Sequence, residues 1–283
     1  MAEEKIVKTS IVQSLSSLAM SSSSAPQSEV DISPQGDVVG LNFELTQATT
    51  GTLTGANTID FAIENISIKD RFGNPIWANV RGRDLNEIEG LMSFYVNNKG
   101  IFTSVATTSS SNQTRRYHIP MRIDKAQFPC KIQITVAPFS AMATSGATAG
   151  TVSLRVDAVY KDESANDITD RIMRLSQAIV SGTNRFGPNL PKGRIIAHLA
   201  LQAGTESNVS KITLSRDGRL EISDYTSASW TAMDQDLFNS GHQSGLVNVY
   251  NAPFVASEST IYDIEGAGSD TLQHFIFMSE PSN

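Results

Sequence analysis

Residues 65–77 read NISIKDRFGNPIW, and residues 211–222 read KITLSRDGRLEI. With one residue of slip, Ile66 falls on Ile212, Ile68 on Leu214 and Gly73 on Gly218. Each copy predicts a strand of alternating apolar residues, ended by a charged glycine turn and followed by a second short apolar piece. Twelve residues after each glycine stands the first apolar residue of a predicted short helix, Leu85 in one copy and Trp230 in the other. Upstream, GLNFELTQAT (40–49) matches GRIIAHLALQAGT (193–205) as the preceding strand, and each half closes with a predicted strand pair, 131–159 and 259–278. An order of elements that recurs along one chain is the signature of an internal repeat.

Between these anchors the apolar period is two. Leu41, Phe43 and Leu45 alternate with polar residues, as do Ile59, Phe61 and Ile63. The phase then slips to Ile66 and Ile68, which predicts a bulge near Asn65. Asp84 with Glu87 resembles a capping box ahead of the stripe Leu85, Ile88 and Leu91. Pro120 within the alternating run Tyr117 to Ile123 suits an edge strand. Ile132–Val136 and Val152–Val159 flank the loop MATSGATAG and predict a long antiparallel pair. The second half resumes with Ile195, Ala197, Leu199 and Leu201, then a short helix carrying Trp230, Met233 and Leu237, then strands at 246–250, 259–264 and 272–277.

Two segments read differently. Ile168, Ile172, Leu175 and Ile179 recur at i, i+4, i+7 and i+11, with Asp167 as N-cap and Gly182 as stop signal, which predicts a helical linker. Ile11, Leu15 and Leu18 permit a short amphipathic helix in an N-terminal arm, ended by Ser21–Ser24 and Pro26. The expected organisation is an arm at 1–36, a first domain at 37–162, a helical linker at 163–192 and a second domain at 193–283.

Composition agrees with an all-β chain. The 35 Ser and 23 Thr among 283 residues disfavour long helices. Area scaling allows a chain of this mass to bury about 70% of its unfolded surface, enough for two cores. One cysteine, Cys130, excludes an internal disulfide or a cysteine zinc cluster and reads as a small buried hydrophobe. No run of about eighteen apolar residues occurs, and the acidic start, with Glu3 and Glu4 and no continuous apolar core, argues against a signal peptide.

A domain of about 120 residues with eight short strands is most economically a two-sheet sandwich, of which the jelly roll is the common eight-stranded form. The fold class expected is therefore all-β, with two tandem eight-stranded jelly-roll barrels, short helices and a helical linker. On NISIKDRFGNPIW, on DRIMRLSQAIVSGTNRFGPNLPKGRIIAHLALQAG (170–204) and on VSKITLSRDGRLEISDY (209–225), the chain resembles the double-jelly-roll major capsid proteins of tailless, membrane-containing bacteriophages. The resemblance is to corticovirus-like members, in the lineage that includes adenovirus hexon, and it covers about 38–281. It implies a structural protein of the virion capsid, assembled in the host cytoplasm. Its homotrimers, each pseudo-hexagonal with six barrels, would tile an icosahedral shell around an internal lipid membrane. Neighbouring trimers and minor capsid, vertex or membrane proteins are the implied partners.

Charge fits a shell that does not touch its genome. The net charge is −7, and residues 1–30 hold Lys5 and Lys8 against Glu3, Glu4 and Glu29. Two phosphate contacts would give a salt slope of only about −2. No direct nucleic-acid contact is expected. The arm residues Lys5, Lys8, Ile11, Leu15 and Leu18 are instead candidates for contact with a membrane or a neighbouring subunit, and the arm is expected to order only on assembly.

Enzymatic readings find no motif. His118, His198, His242 and His274 are each isolated, and there is no Walker loop, HExxH or GxSxG. No cofactor is expected. Structural Ca²⁺ stays open at KDESANDITD (161–170), although that stretch lacks the EF-hand order. Arg71, Arg81, Arg83, Arg115, Arg116 and Arg122 read as surface charge or as intersubunit ion pairs. The alternative function is a carbohydrate-binding β-sandwich such as a phage receptor-binding protein, which would need exposed aromatics on one face. A single barrel with a large insertion and a cupin-like metalloenzyme are further rivals, the latter disfavoured because no strand carries an HxH pair.

Overall fold

A computed structural model of the chain describes residues 7–11, 18–20, 25–34, 36–50, 62–97, 112–137, 149–161, 168–187, 194–237, 244–249, 254–256 and 259–281. The chain divides into two compact units. One comprises Met1–Val96, Phe102–Thr169 and Pro281–Asn283, the other Asn97–Ile101 and Asp170–Glu280.

In the first unit the elements are β1 (Val7–Ile11), β2 (Leu18–Met20), β3 (Gln27–Ile32), β4 (Asp37–Thr50), β5 (Ile63–Lys69), β6 (Pro75–Val80), α1 (Leu85–Asn97), β7 (Asn112–Ile119), β8 (Cys130–Val136) and β9 (Ala149–Lys161). One sheet has the order β1-β9-β4-β7, with β2 also on β9, and four further strands run in the order β6-β5-β8-β3. Period-two burial explains both layers: Leu41, Phe43, Leu45, Val152, Leu154 and Val156 turn inward from the first, and Ile66, Ile68, Ile132 and Ile134 from the second. The phase slip at Asn65 is a register shift between Ile63 and Asn65 against β8, as its apolar pattern predicts. Leu85, Ile88 and Leu91 on α1 are fully buried. Asp84 does precede α1, but its carboxylate accepts the Arg81 backbone N–H at 2.9 Å and pairs the Arg81 guanidinium, so it closes the preceding turn.

The second unit holds β10 (Ile168–Ile179), β11 (Gly182–Phe186), β12 (Ile195–Gln202), β13 (Val209–Arg216), β14 (Arg219–Thr226), α2 (Ser227–Leu237), β15 (Leu246–Val249), β16 (Phe254–Val255), β17 (Ile261–Gly266) and β18 (Asp270–Pro281). Its strands run β10-β18-β12-β15, with β16 also on β12, and β11-β17-β13-β14. The correspondence with the first unit is one to one: β10, β18, β12 and β15 take the places of β1, β9, β4 and β7, and β14, β13, β17 and β11 those of β6, β5, β8 and β3. Each helix falls between corresponding strands. Trp230 is fully buried on α2, edge-on to Tyr225 at 5.7 Å, and donates its indole N–H to Glu206 Oε1 at 2.9 Å. Met233, on the same helix, is 38% exposed.

Three expectations are corrected. Residues 168–179 form a strand, not a helix. Thr169, Asp170, Arg171 and Ile172 are buried in succession, which erases the period of two. The polar ones are paired, since Ser279 Oγ donates to Asp170 Oδ1 at 2.8 Å and Arg171 Nε to Glu280 Oε2 at 2.6 Å. Gly182, read as a helix stop, opens β11 at φ +99°, and Asp167 lies outside the described residues. The chain passes between the units at 169/170, within the expected linker range 163–192, but as a strand and not as a helix.

The N-terminal segment is likewise no separate arm where it is described. β1 and β2 pair with β9, and β3 pairs with β8 from Gln27↔Thr135 to Ile32↔Cys130, so 1–36 contributes strands to the first unit. These pairings are made within one chain. Finally, the predicted closing pairs are not hairpins. β8 and β9 lie in different sheets, and so do β17 and β18.

Candidate functional site

The structure places the sequence-derived arm residues in part. Lys8 lies opposite Tyr160 and Ile11 opposite Asp157 in the β1–β9 pair, while Leu18 lies opposite Val152 on β2. Lys5 and Leu15 lie outside the described residues. The helix that would have gathered Ile11, Leu15 and Leu18 on one face is absent at Ile11 and Leu18, which are in separate strands.

On the first unit, the face of β4, β7 and β9 turned away from the core is polar and charge-matched. Asn42, Glu44, Arg116, His118, Arg155 and Asp157 border a shallow cavity of about 390 Å³. Register sets the pattern: Glu44 stands between Arg116 and Arg155, and Asn42 between His118 and Asp157. Arg116 Nε is 2.5 Å from Glu44 Oε2, an exposed pair of small energetic weight. His118 Nδ1 lies 2.6 Å from Asn42 Oδ1, and burial lowers its pKa. The His118 backbone N–H donates to Glu89 Oε1 of α1 at 2.6 Å, so a helix carboxylate covers part of β7, the edge strand that Pro120 predicted. Among the described residues of this face no nucleophile sits beside a base.

The duplicated glycine turns share a positive-φ glycine but are held differently. Between β5 and β6, Asp70 Oδ1 accepts the backbone N–H groups of Phe72 (2.9 Å) and Asn74 (2.8 Å), and Gly73 sits at φ +86°. Between β13 and β14, Asp217 and Gly218 both have positive φ, +51° and +74°, and the Asp217 backbone N–H donates to Ser259 Oγ at 2.9 Å. Positive φ at these positions is what the Gly in each motif supplies. Phe72 in the first turn is 67% exposed, and Leu220, the second residue of β14 after the other turn, is 61% exposed. Sequence reasoning placed the turns but not these side chains. The available signal was a bulky apolar residue beside arginine at a hairpin tip, where no core can reach it.

No protein-family model matches the chain, and no curated protein matches it by sequence. Solved structures do match. The crystal structure of the STIV MCP aligns with TM-score 0.71 at 13% identity over 98% of this chain and 97% of that one. The major capsid protein P2 from bacteriophage PM2 gives TM-score 0.59 at 11% identity over 96% and 97%. The PBCV-1 virus capsid gives 0.60 at 9% over 99% and 95%. The fold is a double jelly roll.

His274 is buried, stacks on Phe186 at 3.9 Å and lies 3.0 Å from Gln177 Oε1, and burial pushes its pKa down to about 3. His242 is outside the described residues, and His198 lies in β12. Cys130 is buried, as expected for a small hydrophobe. Of the basic set, Arg81 and Arg116 pair within the chain with Asp84 and Glu44, Arg122 Nη2 donates to Tyr95, and Arg71 lies over the Phe72 ring at 4.5 Å. Among the described residues no group of three or more His, Cys, Asp or Glu could hold a metal ion; most of 161–170 lies outside them.

Proposed function

We propose that the chain is a viral major capsid protein, a structural protein rather than an enzyme. Three copies form a pseudo-hexagonal trimer, and trimers tile an icosahedral shell around an internal lipid membrane. The observation that carries this reading is the duplicated strand order, aligned end to end with solved capsid proteins at TM-scores of 0.71 and 0.59. Two units of equal topology in one chain give a trimer six similar flanks, and closed cyclic symmetry followed by lateral packing builds a lattice from them. The polar face of β4, β7 and β9 supports lateral contacts, since its alternating charges match an opposed array of the same kind. The slightly negative balance of residues 1–30, Lys5 and Lys8 against Glu3, Glu4 and Glu29, supports a shell held off its genome, and minor proteins at vertices and in the membrane complete the particle.

The carbohydrate-binding alternative is not favoured, because Trp77 and Trp230 are fully buried and give no aromatic platform. Light scattering tests the proposal: a stable species of three times the 30.5 kDa chain mass, together with hexagonal capsomers in electron micrographs of particles, is expected. A monomer that binds glycans and forms no shells would sink it.

A further inference from the structure

The two duplicated turns share a chemistry that the strand framework does not require. In the first unit the tip between β5 and β6 presents Lys69, Arg71 and Phe72 to solvent, and the Arg71 backbone N–H binds Gln127 O at 2.9 Å, which seats the tip beside exposed Lys125. The acids at this end are turned inward. Asp70, Asp124 and Asp37 are all buried, and each accepts backbone N–H bonds: from Phe72 and Asn74, from Ala126, and from Lys125. The acids left exposed, Glu29 and Asp31 on β3, face Lys131, which pairs Glu29 at 2.5 Å and feels the Asp31 charge.

In the second unit the first two residues of β14, Arg219 and Leu220, are exposed beside the turn Asp217–Gly218. Its acids are again engaged. Ser259 Oγ donates to Asp217, and Glu221 pairs Arg216 at 2.8 Å, which leaves Arg219 as the tip's uncommitted charge among the described residues. Arg216 also lies over Phe254 at 4.8 Å, and Val255 next to it is 60% exposed. Each unit, taken by itself, therefore ends in a tip with free positive charge beside an exposed bulky apolar side chain, on a chain whose net charge is −7.

We infer that these two tips, Arg71-Phe72 and Arg219-Leu220, dock on the surface of an anionic lipid bilayer. Positive charge beside an apolar side chain is the combination that an anionic interface rewards, the cation meeting headgroup phosphate and the apolar group entering the acyl boundary. The two copies decide between lipid and protein. They reach the same pairing from different positions, Arg71 and Phe72 before Gly73 but Arg219 and Leu220 after Gly218, with an aromatic plate in one and a branched aliphatic in the other. A protein pocket shaped for one rejects the other, whereas a fluid interface reads charge and hydrophobicity without shape. One tip alone binds weakly, and repetition over many copies supplies the avidity. The inference deepens the capsid reading and rests on it for the bilayer's place beneath a shell.

The test is flotation of the purified full-length chain with vesicles of phosphatidylcholine, with and without phosphatidylglycerol. Binding is expected to the anionic vesicles only and to weaken as salt is raised. Neutralising each tip, Arg71→Gln or Arg219→Gln, should lower binding about fivefold. Phe72→Ser with Leu220→Ser should lower it further, while unchanged emission from buried Trp77 and Trp230 verifies folding. Equal binding of these variants and the parent, or equal binding to neutral vesicles, overturns the inference. Loss of self-association by the Phe72→Ser, Leu220→Ser chain without lipid also overturns it, by assigning the tips to a second copy. Shells that form without tip-dependent vesicle binding refute this inference alone; tip-dependent binding by a chain that never forms trimers or shells refutes the capsid reading alone.

Discussion

The ring of Phe43 on β4 stacks on the indole of Trp77 on β6, with centroids 5.1 Å apart and planes inclined by 22°. This contact joins the two layers of the first unit, and both residues are essentially excluded from solvent. The Trp77 indole N–H is buried without a hydrogen-bond partner, so the ring contributes through packing.

Trp77→Ala should destabilise the first unit by about 3–5 kcal/mol, the range for emptying a large aromatic site. Trp77→Phe keeps an aromatic ring against Phe43 and removes the unpaired N–H, so it should cost less than about 1.5 kcal/mol. Urea denaturation followed by circular dichroism separates the two outcomes, and equal losses would show that the stack is not what the site depends on.

The turn acids act as backbone caps. Asp70→Ala abandons the N–H groups of Phe72 and Asn74 and should cost about 1–3 kcal/mol, while Asp70→Asn keeps an acceptor oxygen and should recover most of it. At Gly218, φ is +74° and no atom lies within 4 Å of an added Cβ. Gly218→Ala therefore meets only backbone strain, about 1–2 kcal/mol, and Gly218→Asn less. Thermal melts of the four variants give the ranking.

Glu280 serves two arginines, Arg171 and Arg194. Desolvation first, and then the neighbouring Arg171, lower the pKa of Arg194. The Arg171 side chain is only 10% exposed. Glu280→Ala should cost about 3–5 kcal/mol by leaving a nearly buried cation unpaired, and Glu280→Leu should not rescue it. Pairing this mutation with Arg171→Met in a double-mutant cycle should recover part of the loss. Additive losses would contradict the coupling.

His274 makes stability depend on pH. Its folded pKa near 3 lies below the value of about 6.5 expected in the unfolded chain, so the unfolded state binds the extra proton. Its contribution is intact above pH 6.5 and falls by about 1.4 kcal/mol per unit below it, roughly 2 kcal/mol by pH 5. His274→Phe, placed against Phe186, should flatten this slope between pH 7 and pH 5. An unchanged slope in the variant would assign it to other groups.

Two misread segments show where sequence patterns stop. Ile168, Ile172, Leu175 and Ile179 satisfy a helical period by coincidence, because Asp170 and Arg171 are buried by partners more than a hundred residues away and break the alternation of a strand. The first 36 residues look tether-like for a related reason. β1, β2 and β3 are short, and their pairing strands, β9 and β8, lie a hundred residues or more downstream. The exposed tips were half visible: the Gly positions fixed the turns, but the exposure of Phe72 and Leu220 needed the surrounding chain.

What the sequence determined by itself was local or duplicated: the period of two, the bulge at Asn65, the glycine turns, the stripe on α1 and a repeated order of elements. Each depends on backbone preference or side-chain alternation over a few residues, which one chain displays openly. The tertiary structure decided which strand pairs with which, that β8 and β9 part into different sheets as β17 and β18 do, and that 1–36 and 168–179 belong to those sheets. Strand pairing is a contact between distant segments whose hydrogen bonds are made by the backbone, and backbone donors and acceptors are the same for almost every residue, so the letters carry little record of the choice.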